Sequence, residues 1–147
     1  MRVFFDTNIL LDVLMESRSA HTDSVTLLQV AQRRLIEAVI TTQSLIDTFY
    51  VFSQKEKDNP EQFRKALRLI LSFATISPIN EDDIKDALAS GNEDFEDAAQ
   101  LACASRTDCD VVLTSDKKMR KYSTIPVYTP AELCNLVFNC QPLEGPL

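Results

Sequence analysis

Four short acidic stretches hold the residues best suited to chemistry: Asp6 in FFDTN, Asp47 in SLIDTFY, Asp94 with Asp97 in NEDFEDAAQLACA, and Asp116 in VVLTSD. Carboxylates are hard oxygen donors, and several of them drawn into one pocket repel one another until a divalent cation neutralises them. Each also has a purely structural explanation. Asp6 before Thr7 and Asn8 suits the cap of a first helix, and Asp116 before KKMRK suits the cap of a short basic one. Asp94 and Asp97, three apart near a helix start, are favoured there by the helix dipole. Asp47 interrupts an apolar helix, where a charge is costly unless it is solvated or paired.

Other chemistries find little support. A Ser-His-Asp or Cys-His mechanism would rest on His21, the one histidine, which has no motif around it and suits a surface or capping role. Cys103, Cys109, Cys134 and Cys140 fall in two pairs that lack the spacing of a zinc site, so they read as structural or incidental thiols.

The elements that must position these residues follow from periodicity. Residues 2–5 form an apolar run cut off by Asp6, and residues 9–15 continue as an apolar helix. Residues 20–34 read as a helix and EAVIT, 37–41, as a buried strand. Thr42 or Ser44 then caps a helix whose seam is Leu45, Phe49 and Phe52, leaving Gln43, Asp47 and Gln54 on another stripe. Asn59 followed by Pro60 starts a helix that buries Phe63, Leu67, Ile70 and Leu71. Residues 74–79 form a short strand broken by Pro78, after which Asn80 caps a helix that Gly91 stops. Residues 94–105 form an alanine-rich helix with Ala98, Leu101, Ala102 and Ser105 as a face for packing on a sheet. DVVLT, 110–114, is a buried strand, residues 125–128 are a last short one, and Pro130 begins a helix to about residue 139. Alternating strands and helices with long connections predict an α/β sandwich around a mainly parallel sheet. Ligands of such sheets gather beyond the carboxyl ends of the strands, where Asp6 and Asp116 project.

The chain has 147 residues, 45% of them hydrophobic and 25% charged, which predicts one globular domain over residues 1–140 and a loosely ordered tail over 141–147. Its net charge of −7 excludes binding of nucleic acid by a bulk positive field, so a polyanion would need a local basic patch or bridging ions. Lys117, Lys118, Arg120 and Lys121 form one such patch directly after Asp116, and Arg33 with Arg34 forms a second. Most of Phe4, Phe5, Phe49, Phe52, Phe63 and Phe73 sit at core spacing, which leaves Tyr122 as the exposed ring for stacking on a base. The start, MRVFFDTN, resembles neither a secretory signal nor a membrane span, so a cytoplasmic location is expected.

Taken together and in order, Asp6 with Asn8, Asp47 after the second strand, DFEDA with Asp94 and Asp97, LTSD with Asp116, and IPVYTPAEL resemble the PIN-domain nucleases over about residues 1–137. The resemblance implies a PIN-like three-layer sandwich and metal-dependent cleavage of RNA, as in the toxins of VapBC-type toxin–antitoxin pairs. It carries the acidic positions to Asp6, Asp47, Asp97 and Asp116, with Asp94 as a fifth member and Asn8 or Ser115 as polar supports. Mg²⁺ or Mn²⁺ held by these carboxylates would bind phosphodiester oxygens and activate an attacking water. Asp6 and Asp97 are then the principal ligands, and Asp47 and Asp116 hold a second ion or orient water. Asn8, Ser115, Lys117, Lys118 and Arg120 would contact RNA beside the cut. The chain departs from the family where Asp47 replaces a frequent glutamate and where Ser115 replaces a frequent arginine. The resemblance further implies homodimers and an antitoxin partner. A catalytically silent PIN-like domain that binds RNA or protein is the alternative. A receiver-like signalling module is disfavoured, because EAVIT and ATISPI lack an acceptor aspartate at their ends.

Overall fold

The computed structural model describes residues 1–55 and 59–140; the expected loose tail, 141–147, lies outside them. Five strands, β1 (Arg2–Phe5), β2 (Glu37–Thr41), β3 (Thr75–Ser77), β4 (Val111–Leu113) and β5 (Val127–Tyr128), form one sheet in the order β3-β2-β1-β4-β5. Every pairing is parallel, with Phe4 opposite Val39 on one side and Val112 on the other. The carboxyl ends therefore share one edge, as the alternation of strands and helices predicted.

Period-two alternation sorts the strand residues between two faces. Val3, Phe5, Ala38, Ile40, Val111 and Leu113 enter one buried cluster together with residues of α1 (Thr7–Leu14), α2 (His21–Gln32), α4 (Pro60–Phe73) and α7 (Pro130–Cys140). Phe4, Val39 and Val112 enter the other, against Cys103 and Ala104 of α6 (Phe95–Arg106) and Met119 of a 3₁₀ turn (Lys117–Lys121). The helix α5 (Glu81–Ala89) packs on α6 through Ala87, Ala98 and Ala99, and α3 (Thr42–Lys55) joins α1 and α4 through Phe52, Leu11 and Phe63. Three layers result. Among the described residues no helix is long and apolar enough to cross a membrane.

Several local expectations are corrected. Thr41, rather than Thr42 or Ser44, caps α3, its Oγ1 accepting the Ser44 N–H at 2.9 Å. Of the expected seam of α3, Phe52 is buried and Leu45 packs against the main core, whereas Phe49 is 45% exposed with its ring 5.0 Å from that of Phe63; Ser44 and Thr48 are the other buried residues of the helix. Asn59 precedes α4 without a side-chain cap bond, and Leu71 is 53% exposed. On α6 Cys103 and Ala104 face the sheet and Leu101 packs against the same cluster, as expected of it, whereas Ala98 packs on α5 and Ala102 and Ser105 line a surface cavity with Tyr122 and Ile125. Alanines ring this helix, so composition could not single out its sheet face. Asn80 and Asp83 form a reciprocal capping box on α5, and Gly91 takes a positive φ of 72° just beyond it.

One buried ion pair braces the first two helices. Asp12 is 2% exposed and accepts from Arg18 Nε at 2.7 Å, Ser24 Oγ at 3.3 Å and Ser115 Oγ at 3.1 Å. His21 Nδ1 lies 2.7 Å from the Asp12 carbonyl oxygen, a structural role consistent with its place at the start of α2. Replacing Arg18 by Ala strands the buried carboxylate and should cost about 3 kcal/mol in urea unfolding, of which the Asp12→Asn/Arg18→Ala double variant recovers part. Strictly additive losses would show that the two side chains are not coupled.

Candidate functional site

The carboxyl edge of the sheet opens into a cavity of about 420 Å³ lined by Asp6, Asn8, Asp47, Tyr50, Asp94, Glu96, Asp97 and Asp116, among others. These residues come from four separate segments: the β1–α1 junction, α3, the start of α6 and the loop after β4. All five aspartates singled out in the sequence face it.

Asp6 is the deepest of them, at 4% exposure. It caps α1, with Oδ1 accepting the Thr7 N–H at 2.7 Å, while Oδ2 accepts the Thr114 hydroxyl at 2.7 Å and Asn8 Nδ2 at 3.4 Å. The same Thr114 Oγ1 accepts the Asp116 N–H at 2.9 Å, so one hydroxyl fixes the Asp6 carboxylate and the backbone of Asp116 at once. Asn8 is thus a direct polar support. Thr7 Oγ1 reaches Ser44 Oγ at 2.9 Å and locks α1 to the first turn of α3, one turn before Asp47. Asp47 is partly exposed and accepts Gln43 Nε2 at 2.9 Å along its own helix.

Asp94 and Asp116 do cap helices, accepting the Asp97 and Lys118 N–H groups at 3.0 and 2.9 Å. The structural and functional readings therefore coincide. A cap bond engages one carboxylate oxygen and holds the side chain at the cavity wall. Ser115 is turned the other way, onto Asp12, where it tethers the loop that carries Asp116.

Burial and, after it, the crowding of like charges raise three carboxyls of the site. The Asp97 carboxyl is pushed up to about 7, first by burial and then by the charges of Asp94, Asp6, Asp116 and Glu96. Burial also raises Asp6, with Asp116 adding to it against the lowering bonds from Thr114 and Thr7. Glu96 is raised by burial and by Asp47, Asp6 and Asp94. Sequence reasoning missed Glu96, which stands between two chosen aspartates in DFED, and Thr114, whose only signal was a hydroxyl directly before Ser115 and Asp116. The donor set is wholly hard oxygen and over-charged, which fits a divalent cation. Among the described residues no three such side chains close tightly enough around one point to cage an ion, so waters or substrate oxygens would complete its shell.

The basic residues divide. Lys117 and Lys118 border a neighbouring cleft together with Asp94 and Asp97. Arg120 lines the same cleft, but its guanidinium is committed to Glu132 at 2.5 Å and to the Val127 carbonyl at 3.2 Å. The second patch is remote from the acidic cavity: Arg34 bonds the Phe73 carbonyl and lines a hollow with Met1 and Glu37, at the amino ends of the strands. Cys103, Cys109 and Cys134 are free thiols.

Against known proteins, the family model described as PIN domain matches residues 2–118. The chain belongs to the PIN-domain family. A curated relative, Ribonuclease VapC1 of Aquifex aeolicus (strain VF5), is 27% identical over 142 residues, which cover 90% of this chain and 93% of that protein. Among solved structures, VapBC2 from Rickettsia felis, bound to a DNA fragment from its promoter, is similar at a TM-score of 0.66 and 13% identity, over 88% of this chain and 98% of that one. VapC20 of Mycobacterium tuberculosis, described as a Sarcin-Ricin loop cleaving toxin, is similar at 0.65 and 14%, over 81% and 93%. At such identities these two structures speak for the PIN fold, and the three-layer sandwich agrees with them.

The raised Asp97 carboxyl has a consequence for this PIN domain's stability. The folded chain holds that proton more tightly than the unfolded one, so stability present in acid is lost as pH rises through about 7. Asp97→Asn should therefore raise Tm by a few degrees at about pH 8 and barely change it at about pH 4. Mn²⁺ should raise Tm of the native chain at the higher pH and do so less in the variant. Scanning calorimetry checks both, and an unchanged Tm in the variant at high pH would mean that Asp97 is not crowded.

Proposed function

We propose that this PIN domain is a divalent-metal-dependent endoribonuclease of the cytoplasm, using Mg²⁺ or Mn²⁺, and the toxin of a toxin–antitoxin pair. The observation that carries the reading is the convergence of Asp6, Asp47, Asp97 and Asp116 from four segments on one cavity at the carboxyl edge of the sheet. Family membership and the name of the Aquifex aeolicus relative support it.

Asp6 and Asp97 would hold the principal ion, with Asp47, Asp94, Glu96 and Asp116 binding a second ion or orienting water through their remaining oxygens. A divalent cation at such a site supplies a lowered pKa for water and neutralises charge on a phosphodiester. Thr114 keeps the Asp6 carboxylate aimed by donating to Oδ2, and Asn8 restrains the same oxygen. Lys117 and Lys118 are placed to take phosphates flanking the cut. No side-chain nucleophile is required in this reading; the described residues that line the cavity are mainly carboxylates. We further assign the chain an antitoxin partner, by analogy with the toxin–antitoxin complex from Klebsiella pneumoniae that it resembles in fold, and a homodimeric state, which the family resemblance alone implies.

The purified chain should cut single-stranded RNA in the presence of Mn²⁺, lose that activity in a chelator, and lose it by about 100-fold or more in Asp6→Asn and Asp97→Asn with the circular dichroism spectrum retained. Intact RNA after incubation with the native chain and either ion would instead favour a silent binding domain.

A further inference from the structure

Beside the acidic cavity lies a larger cleft of about 830 Å³ that the carboxylate chemistry leaves unexplained. Two segments border it, residues 92–97 leading into α6 and residues 117–122 of the 3₁₀ turn. Each contributes an exposed aromatic ring: Phe95 is 45% and Tyr122 36% exposed. Phe95 belongs to no buried cluster, and the paired rings among the described residues are Phe49–Phe63 and Phe52–Phe63, so neither cleft ring is taken up by another. Leaving a phenylalanine in water beside an acidic motif forgoes burial that a core position would provide. Lys121 Nζ stands 5.3 Å from the centroid of Tyr122, and Lys117 and Lys118 extend a basic side contributed by the 3₁₀ turn, while Glu93, Asp94 and Asp97 come from the segment leading into α6.

From this juxtaposition we infer that the cleft is a nucleobase subsite: Phe95 and Tyr122 grip one unstacked base of a single-stranded RNA while Lys117 and Lys118 hold its phosphates. The inference deepens the nuclease reading and rests on it for the identity of the strand. Lys117, Lys118 and Lys121 on one side of the cleft offer partners for phosphates, and the two exposed rings select a strand with accessible base faces, which a duplex does not offer. Asp94 and Asp97 border both cavities, so a strand leaving the acidic cavity enters the cleft directly. Arg120 takes no part, since Glu132 occupies it.

Binding of a short single-stranded RNA carrying one 2-aminopurine, measured with the full chain in chelator, tests the subsite apart from cleavage. Stacking should quench the 2-aminopurine, and Phe95→Ala and Tyr122→Ala should each weaken Kd about tenfold and abolish the quench. Phe95→Leu, which keeps bulk without the ring, should restore only part of the affinity. An abasic residue at the same position should bind native chain as weakly as intact RNA binds Phe95→Ala. Lys117→Gln and Lys118→Gln should weaken intact and abasic strands alike and flatten the salt dependence. Native affinity in both aromatic variants, or equal affinity for duplex RNA, overturns the subsite. If quenching is observed but Mn²⁺ brings no cleavage, the nuclease reading falls and the subsite stands; cleavage with an unaltered KM in Phe95→Ala does the reverse.

Discussion

Mutual repulsion among carboxylates at one edge of the sheet is the constraint around which this molecule is built. Left free, these side chains would swing into water and separate. Instead, backbone N–H groups and hydroxyls hold them at the cavity wall, where burial first and then the neighbouring carboxylates push the Asp97 carboxyl up to about 7. The restraint on Asp6 is the strongest: a buried hydroxyl, a backbone N–H and a neighbouring amide all point at it. Such an arrangement is destabilising by itself and would become favourable with a cation bound, which under the proposed function links folding energetics to activity.

The parallel sheet makes this possible. With every strand running the same way, the segments after β1, β2 and β4 emerge on one edge, and α6 sets its N-terminus there as well. Small polar contacts then fix relative positions. Ser44 joins α1 to α3 through Thr7, and Asp12 joins α1, α2 and the Ser115 loop. Ser44 and Asp12 do not line the cavity themselves, yet they tie down the helix that carries Asp47 and the loop that carries Asp116.

Much of this was legible in the sequence, for physical reasons. Asp6 and Asp116 follow apolar runs that can only be buried strands, so their edge was predictable, and DFED marked the α6 start. Glu96 escaped notice because a first-turn glutamate is indistinguishable from an ordinary dipole-favoured acid until tertiary packing aims it. Asp12 gave no signal inside the apolar run 9–15, since nothing local says that Arg18 and Ser115 will meet it. Arg120 looked like part of a phosphate grip in KKMRK, but Glu132, twelve positions on, faces it once β5 and α7 fold back. Phe95, inside the acidic motif itself, carried no periodic signal that would assign it to surface or core.

Paramagnetic broadening by Mn²⁺ in an amide NMR spectrum tests the central claim most directly, because it locates the ion without requiring turnover. Substoichiometric Mn²⁺ should erase first the signals of Asp6, Asp97 and Asp116, with Asp47 and Glu96 close behind, and Asp97→Asn should weaken the effect at all of them together. Broadening that begins elsewhere, for instance around Asp23 or Asp110, or that leaves these residues sharp while others fade, would contradict a shared cation site at the edge of the sheet.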